Sequence, residues 1–388
     1  MRERVKSVIA DPRVQRAFRF ISEHESQIEA DQIRLTLIPA PPFGEGPRAE
    51  AFADDLRNIG LTPSRDEIGN VIAPFKDFGG TAIVIGAHLD TVFPRQTPLE
   101  LRRKEKALFM PGISDNGCGL VALLWTLRAA REVGLRFRKP IIAVADVGEE
   151  GEGNLRGIRH IFQTAPWASR DCQFIAIDVG GFQRITHQAL GSRRFRVRMT
   201  GPGGHSWADF GRPNPVHAIA AAVHTFVTRC ASRPSGTSFN VGLIRGGISV
   251  NAIPTEAVME VDLRSTTFIN LAELNDQLRR ALNEAAGAAH VECTVELMGE
   301  RPSGVTSTET DIVQAAIEAT RQLGADPVLD IGSTDANIPM SMGIAAIAIG
   351  GGGRSGNTHT PEEWFDPTNR ALGLQRLLVL MGVLAGLE

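Results

Sequence analysis

His88-Leu89-Asp90, Asp115, Glu149-Glu150, Asp178 and His359 are residues of the types that hold divalent metal ions. Imidazole combined with carboxylate suits zinc and tolerates cobalt or manganese. A carboxylate shared by two ions would keep them roughly 3.5–4 Å apart, as in two-metal sites. The adjacent pair Glu149-Glu150 permits a division of labour. One carboxylate can bind metal while its neighbour takes the proton from a bridging water, whose pKa a zinc ion lowers to roughly 7. Asp115, Glu149, Glu150 and Asp178 together match the charge of two divalent ions, and without them so dense an anionic pocket cannot stay fully ionised.

The elements needed to bring these residues together are legible around them. Ala82–Leu89 reads as a buried strand ending at His88, and Asn116–Val133 as a helix opening after Asp115. Ile141–Val147 reads as a strand leading to Glu149-Glu150, Asn154–Phe162 as a helix, and Phe174–Ile177 as a strand ending at Asp178. Asp11-Pro12 is a cap and first-position pair that opens an N-terminal helix. Continuous apolar strands alternating with helices predict an α/β layer covered on both faces, with a site beyond the carboxyl ends of the strands. From about Gln188 the texture becomes α+β, with strands at Arg194–Thr200, Ser238–Ile244, Thr255–Arg264 and Val291–Leu297 and helices at Pro215–Arg229 and Leu271–Ala285. After Gly304 the α/β texture returns, with helix Asp311–Leu323, strand Ala345–Ile349, the Gly350–Gly353 run read as a flexible turn, His359 in a loop, and a final helix from about Pro367. The expectation is a discontinuous α/β domain, 1–187 and 303–388, interrupted by an α+β insert at 188–302.

The motifs His88-Leu89-Asp90-Thr91, Ser114-Asp115-Asn116-Gly117, Gly148-Glu149-Glu150-Gly151, Ile177-Asp178, Gly203-Gly204-His205-Ser206 and Thr358-His359-Thr360-Pro361-Glu362 follow one another in order. This series resembles the two-zinc exopeptidases and amidohydrolases that include tripeptide aminopeptidase, carboxypeptidase G, aminoacylase and succinyl-diaminopimelate desuccinylase. Pro39–Ala49 and Gly332–Gly353 look most like the tripeptide-aminopeptidase branch. The resemblance implies a sheet-centred catalytic domain with an inserted lid and dimerisation domain, two divalent ions, and hydrolysis of amide bonds in short peptides. It implies that His88 and Asp178 hold one zinc, Glu150 and His359 the other, and Asp115 bridges them. Glu149 would be the general base, and Asp90 would hydrogen-bond His88 and fix its tautomer. His205 from a partner subunit would steady the oxyanion, while Asn251 and Arg264 would grip a substrate carboxylate. A cis peptide is implied between Asp115 and Asn116. The same machinery would serve an N-acyl-amino-acid amidohydrolase or a carboxypeptidase.

Each residue also has an ordinary reading. A histidine at a strand end is commonly a hydrogen-bonded structural residue, and Asp115 alone is a good helix cap. His205 fits a glycine-rich turn, Arg264 a locally paired strand arginine, and Asn251 a turn residue before Pro254. Five ligand-bearing positions converging on one sheet edge outweigh these readings taken together. Cys118 is read as a packed helix residue and not a ligand. Gly117-Cys118-Gly119-Leu120-Val121-Ala122 fits a dinucleotide-binding fingerprint, but no apolar strand precedes it and Asp115 would repel a pyrophosphate. A nucleotide-dependent oxidoreductase and a non-catalytic binding protein are the readings from other classes.

Composition narrows the classes further. The 388 residues carry 41 Lys+Arg against 44 Asp+Glu, for a net charge of -3, without the basic footprint of a nucleic-acid or membrane-surface binder. No apolar run approaches the roughly 18 residues of a membrane span, and no secretory signal follows Met1. The four cysteines lack metal-ribbon spacing and read as buried free thiols, which predicts a cytoplasmic protein.

Overall fold

The structure is a computed structural model and describes residues 1–75, 81–169 and 171–388. The chain divides into two compact units, Met1–Ala189 with Val305–Glu388, and Leu190–Gly304.

Four parallel strands form the centre of the first unit, in the order Ile141–Asp146, Ile83–His88, Gln173–Ile177 and Ala345–Ile349. Their alternation explains why each reads as an unbroken apolar run. Ile83, Ile85 and Ala87 point into one core with Ile141, Ala143, Ile175 and Ile347. Val84, Ile142, Val144, Phe174 and Ala346 point into a second core on the opposite face. Helices Gly117–Glu132 and Arg370–Ala385 cover the first face, and Arg156–Thr164 the second. Each fully buried Ile or Val on these strands contributes about 1.5–3 kcal/mol by removal from water. Val71–Pro74 and Arg184–Ala189 flank the parallel strands in antiparallel sense, and Val328–Gly332 pairs in parallel with the latter. Because the four central strands are parallel, their carboxyl ends share one edge.

The unit begins with helices Arg2–Ala10 and Pro12–Glu23, the second capped by the Asp11 carboxylate accepting from the Arg13 amide at 2.7 Å. A small antiparallel sheet of Arg102–Lys104, Ala107–Phe109, Trp364–Asp366 and Arg354–Gly356 ties the loop before Asp115 to the segment after His359. The Gly350–Gly353 run is packed and not a free turn. A Cβ on Gly350 would lie 2.4 Å from the Gly181 carbonyl oxygen, and one on Gly352 would lie 2.2 Å from that of Arg370.

The second unit is a four-stranded antiparallel sheet in the order Thr237–Gly246, Glu256–Ser265, Gly191–Thr200, Glu292–Arg301. Phe195, Val197 and Met199 alternate toward helices Pro215–Arg229 and Phe268–Ala289. Arg194 and Arg196 point the other way, pairing with Asp262 at 3.6 Å and Glu260 at 3.0 Å. Asn214 caps the first helix through the amides of Val216 and His217, with Pro215 at its opening position. Among the described residues no helix is long and apolar enough to cross a membrane.

Candidate metal centre and catalytic site

The parallel strand ends deliver the acidic and imidazole side chains to one place. His88 is the last residue of Ile83–His88, Glu149 and Glu150 follow Ile141–Asp146 after a tight turn at Gly148, and Asp178 follows Gln173–Ile177. Asp115 precedes helix Gly117–Glu132, with a cis Asp115-Asn116 peptide as expected. Asn116 locks that junction: its side-chain oxygen caps the Gly119 amide at 3.1 Å while its amide donates to the Ile177 carbonyl at 2.8 Å. Gly119 is required by this approach, since a Cβ there would meet the Asn116 side chain at 2.1 Å. The glycines of the apparent nucleotide fingerprint thus serve close packing, Gly117 against Thr36 and Gly119 against Asn116 and the Ile177 carbonyl.

The ligand-type atoms fall into overlapping groups, each lying within 4.8 Å of one another. One contains His88, Asp115 and Asp178; another contains Asp115, Glu150 and His359; a third joins His88 to Glu149 and Glu150. Asp115 faces both imidazoles, with Oδ1 3.1 Å from His88 Nε2 and Oδ2 2.9 Å from His359 Nε2. His88 Nε2 is also 3.5 Å from Asp178 Oδ1, and His359 Nε2 is 2.7 Å from Glu150 Oε1. His88, Asp115, Glu149 and Glu150 are buried, Asp178 is half-buried and His359 is exposed.

Hydrogen bonding shows that these groups suit a metal. His88 Nδ1 lies 3.1 Å from the Asp90 carbonyl, which can only accept, so Nδ1 carries a proton and Nε2 is left to face the carboxylates. His88 Nε2, Asp115 Oδ1 and Asp178 Oδ1 are buried without a hydrogen-bond partner, and all three point to one spot. Buried polar atoms left unsatisfied are costly, and a divalent cation among these three would satisfy them at once. In the metal-free chain protons take that role. Burial disfavours the His88 imidazolium, but Asp115, Asp178 and Asp90 outweigh it and hold its pKa well above the usual value. Asp115 and Glu150 push His359 up to about 10 against the effect of partial burial. Burial would raise Asp115, yet the two imidazoles bring it below the ordinary carboxylate range.

Asp90 bonds His88 through its backbone and uses its carboxylate elsewhere. Its carboxylate oxygen stands 3.6 Å from His88 Nδ1, while its backbone carbonyl is nearer. The carboxylate instead accepts from the amides of Glu149 at 2.9 Å and Glu150 at 2.8 Å, fixing the turn that presents both glutamates. Cys118 is buried, donates to the Ser114 carbonyl at 3.0 Å and belongs to none of the ligand groups. Burial and the nearby Asp178 and Asp115 push its thiol pKa up.

His205, Asn251 and Arg264 belong to the second unit. His205 lies in the short pairing of Gly204–His205 with Ala252–Ile253, where the Ser206 amide donates to the Asn251 carbonyl at 3.0 Å. His205 Nδ1 accepts from the amides of Trp207 and Ala208 at 3.2 and 3.3 Å, which leaves the imidazole proton on outward Nε2. His205 and Asn251 are exposed, and Trp207, Phe210, Ile248 and Val250 near them in sequence are almost fully exposed. Arg264 lies on strand Glu256–Ser265, its Nε donating to Asp262 at 2.7 Å.

Residues 84–382 match the family described as peptidase family M20/M25/M40. The chain belongs to this family. M20 enzymes are metal-dependent hydrolases, and this chain is one of them. Carboxypeptidase G2 of a Pseudomonas species is 24% identical over 220 residues, 54% of this chain and 52% of that one. The chain thus spans about half the length of that relative. Succinyl-diaminopimelate desuccinylase of Nautilia profundicola is 22% identical over 338 residues, 82% of this chain and 88% of that one. A solved tripeptidase from Staphylococcus aureus has the same fold at a TM-score of 0.78, with 19% identity over 93% of this chain and 98% of that one.

Several charged residues around the groups escaped the sequence reading. Asp146, last residue of its strand, and Asp335 are buried beside one another, and burial raises both pKa values, that of Asp146 to about 6. At Asp335 the neighbouring charges of Asp146 and Glu149 add to the effect of burial. Arg48 is buried and donates to the carbonyls of Leu89, Thr36 and Ile38 at 2.8, 3.1 and 2.7 Å, bracing the backbone between His88 and Asp90. Glu363 is buried and accepts from three amides of the loop carrying Asp115. Position beside a recognised ligand was the available signal for Glu363, four residues after His359. Arg48 lies within Pro39–Ala49 and Asp335 within Gly332–Gly353, stretches that carried part of the resemblance.

Proposed function

We propose that the chain is a two-metal hydrolase of amide bonds in short peptides, acting as an aminopeptidase or tripeptidase. The observation that carries this reading is Asp115, whose two oxygens face two separate imidazole-carboxylate groups. His88 and Asp178 would hold one divalent ion, Glu150 and His359 the second, with Asp115 common to both. Zinc suits this donor set best, with cobalt or manganese as substitutes. Bound there, the ions supply a polarised amide carbonyl and a water acidic enough to attack it near neutral pH.

The chain's own groups do the remainder. Glu149 takes the proton of the attacking water and passes it to the leaving amine. Asp90, through the two amides it accepts, keeps Glu149 and Glu150 at a fixed separation. His205 presents an Nε2 proton suited to the oxyanion of the tetrahedral intermediate. Asn251 and Arg264 bind the substrate carboxylate, with Asp262 aligning the guanidinium. His205 is supplied by the second copy of a homodimer formed through Leu190–Gly304, and the exposed Trp207, Phe210, Ile248 and Val250 support an occluded setting for this surface. Four cysteines without disulfides, three buried and Cys293 half-buried, fit the reducing cytoplasm.

The tripeptidase among the solved structures supports the peptide reading, whereas the desuccinylase and the carboxypeptidase among the relatives support the rival, an N-acyl-amino-acid amidohydrolase or carboxypeptidase. Metal analysis of the purified protein, with rates on free tripeptides and on N-acyl amino acids, tests the proposal. About two ions per chain and faster turnover of tripeptides are expected. Turnover of the acylated set alone would move the assignment to the rival, and turnover by a metal-free protein would refute the mechanism.

A further inference from the structure

Glu363 has no solvent exposure, and its carboxylate is turned onto the loop that carries Asp115. Oε1 accepts from the amides of Ser114 at 2.8 Å and Asp115 at 2.9 Å, and Oε2 from that of Gly112 at 3.1 Å. Its backbone is engaged in the same direction: the Glu363 carbonyl accepts from the Met110 amide at 3.0 Å. One residue on, Trp364 and Phe365 pair in register with Phe109 and Leu108. On the other side the Glu363 amide donates to Thr360 at 3.0 Å, closing the turn that follows His359. The loop before Asp115 and the turn after His359 are therefore stitched along both strands, and Glu363 supplies the last stitch, nearest the ligand atoms. Backbone N–H groups bonded to a carboxylate make directional, strong contacts, and three of them leave the Asp115 loop little freedom.

From this geometry we infer that Glu363 is a positioning residue that sets the relation between Asp115 and His359, whose Nε2 and Oδ2 stand 2.9 Å apart, and thereby the affinity of the centre for metal. The inference rests on the two-metal reading of the site. An ordinary buried carboxylate stabilises its loop alone; a positioning residue also governs what the loop holds.

The test is zinc affinity by chelator competition, together with the visible spectrum of the cobalt-loaded protein, for wild type, Glu363→Ala and Glu363→Gln. Glu362→Gln, a change at the neighbouring exposed residue paired with Arg102, is the control. Loss of a partner that orients a metal ligand weakens metal binding by about 10–100-fold. Glu363→Ala should approach the upper end and Glu363→Gln, which keeps one accepting oxygen, the lower. Cobalt bands should shift in both variants and stay unchanged in Glu362→Gln. Folded Glu363 variants with wild-type affinity and spectrum would overturn the inference, as would failure of both to fold, since the bonds would then hold the fold and not the ligands. A wild-type chain without metal affinity is a different result, and it would remove the two-metal reading itself.

Discussion

His88 and His205 are both the last residues of strands, yet their surroundings differ at every level. His88 is buried, its Nδ1 proton is committed to a carbonyl, and its Nε2 faces acidic oxygens that have no other partner. His205 is exposed, its Nδ1 accepts two amides, and the proton it offers is on Nε2. The first arrangement creates a lone pair in search of a cation. The second creates a donor in search of an anion. Residue type and local motif do not separate the two; the hydrogen bond at the other ring nitrogen does.

The contrast can be broken most severely at Asp115. Asp115→Ala removes the side chain common to both groups, so metal content should fall well below that of wild type. Turnover should drop on the order of 10⁴-fold, since bound ions contribute several kcal/mol to such chemistry. Metal analysis beside rate assays checks this, and a variant that keeps two ions would break the assignment. Glu149→Gln comes next, with a loss of about 10²–10⁴-fold in kcat at unchanged metal content, as expected for removal of a general base. Loss of metal in that variant would make Glu149 a ligand instead.

His205→Ala should cost about 10²–10³-fold in kcat, the range for a single oxyanion donor, again with metal retained. Here the contrast sharpens into a mixing experiment. If the second copy supplies His205, inactive Glu149→Gln and His205→Ala chains combined in equal amounts should recover about a quarter of wild-type activity through hybrid dimers. No recovery after verified subunit exchange would place both residues in one chain's site.

Acidity gives a smaller and graded effect. The folded, metal-free protein holds the pKa values of His88 and His359 above the ordinary histidine value, that of His359 near 10, so protons compete with metal through the neutral range. Zinc affinity should therefore rise with pH, by about tenfold per pH unit for each proton released. The sign for stability is the reverse. Without metal, the contribution of His359 is complete below pH about 6.5 and is lost as pH rises toward 10. Titration calorimetry and metal-free melting curves across pH 6–9 read both slopes, and a flat affinity profile would contradict the protonated imidazoles.

Sequence made the strands and the ligand residues legible where their signals are local. Ile83–His88, Ile141–Asp146 and Ala345–Ile349 are apolar on both faces, and their shortness and β-branched residues set them apart from the longer buried helix Arg370–Ala385. Helix Asn154–Phe162 was harder. Asn154 and Leu155 take left-handed conformations after a short 3₁₀ turn, so the helix starts at Arg156. The glycine run was misread as flexible because glycine marks either freedom or close approach, and only the neighbouring carbonyl of Gly181 decides between them. Asp90 meets His88 through its backbone carbonyl, and the further bonds of its carboxylate are hidden for a related reason. Side-chain partners can be guessed from composition, but the Glu149 and Glu150 amides are invisible until the turn is built. Glu363 and Arg48 were passed over because charged residues are expected at the surface.

The order of the chain has a consequence for how such a centre matures. His88, Asp115 and Asp178 all lie in the first half of the sequence, whereas His359 reaches Asp115 across 244 positions and Glu150 across 209. During synthesis the residues of the first group are all present while the second still lacks its imidazole. A contact that closes so long a loop is also among the slower ones to form, even after the chain is released. The two groups of ligand-type residues therefore differ in how much of the chain must be present before each is complete, and the Asp115 loop itself is braced only once Glu363 has followed His359.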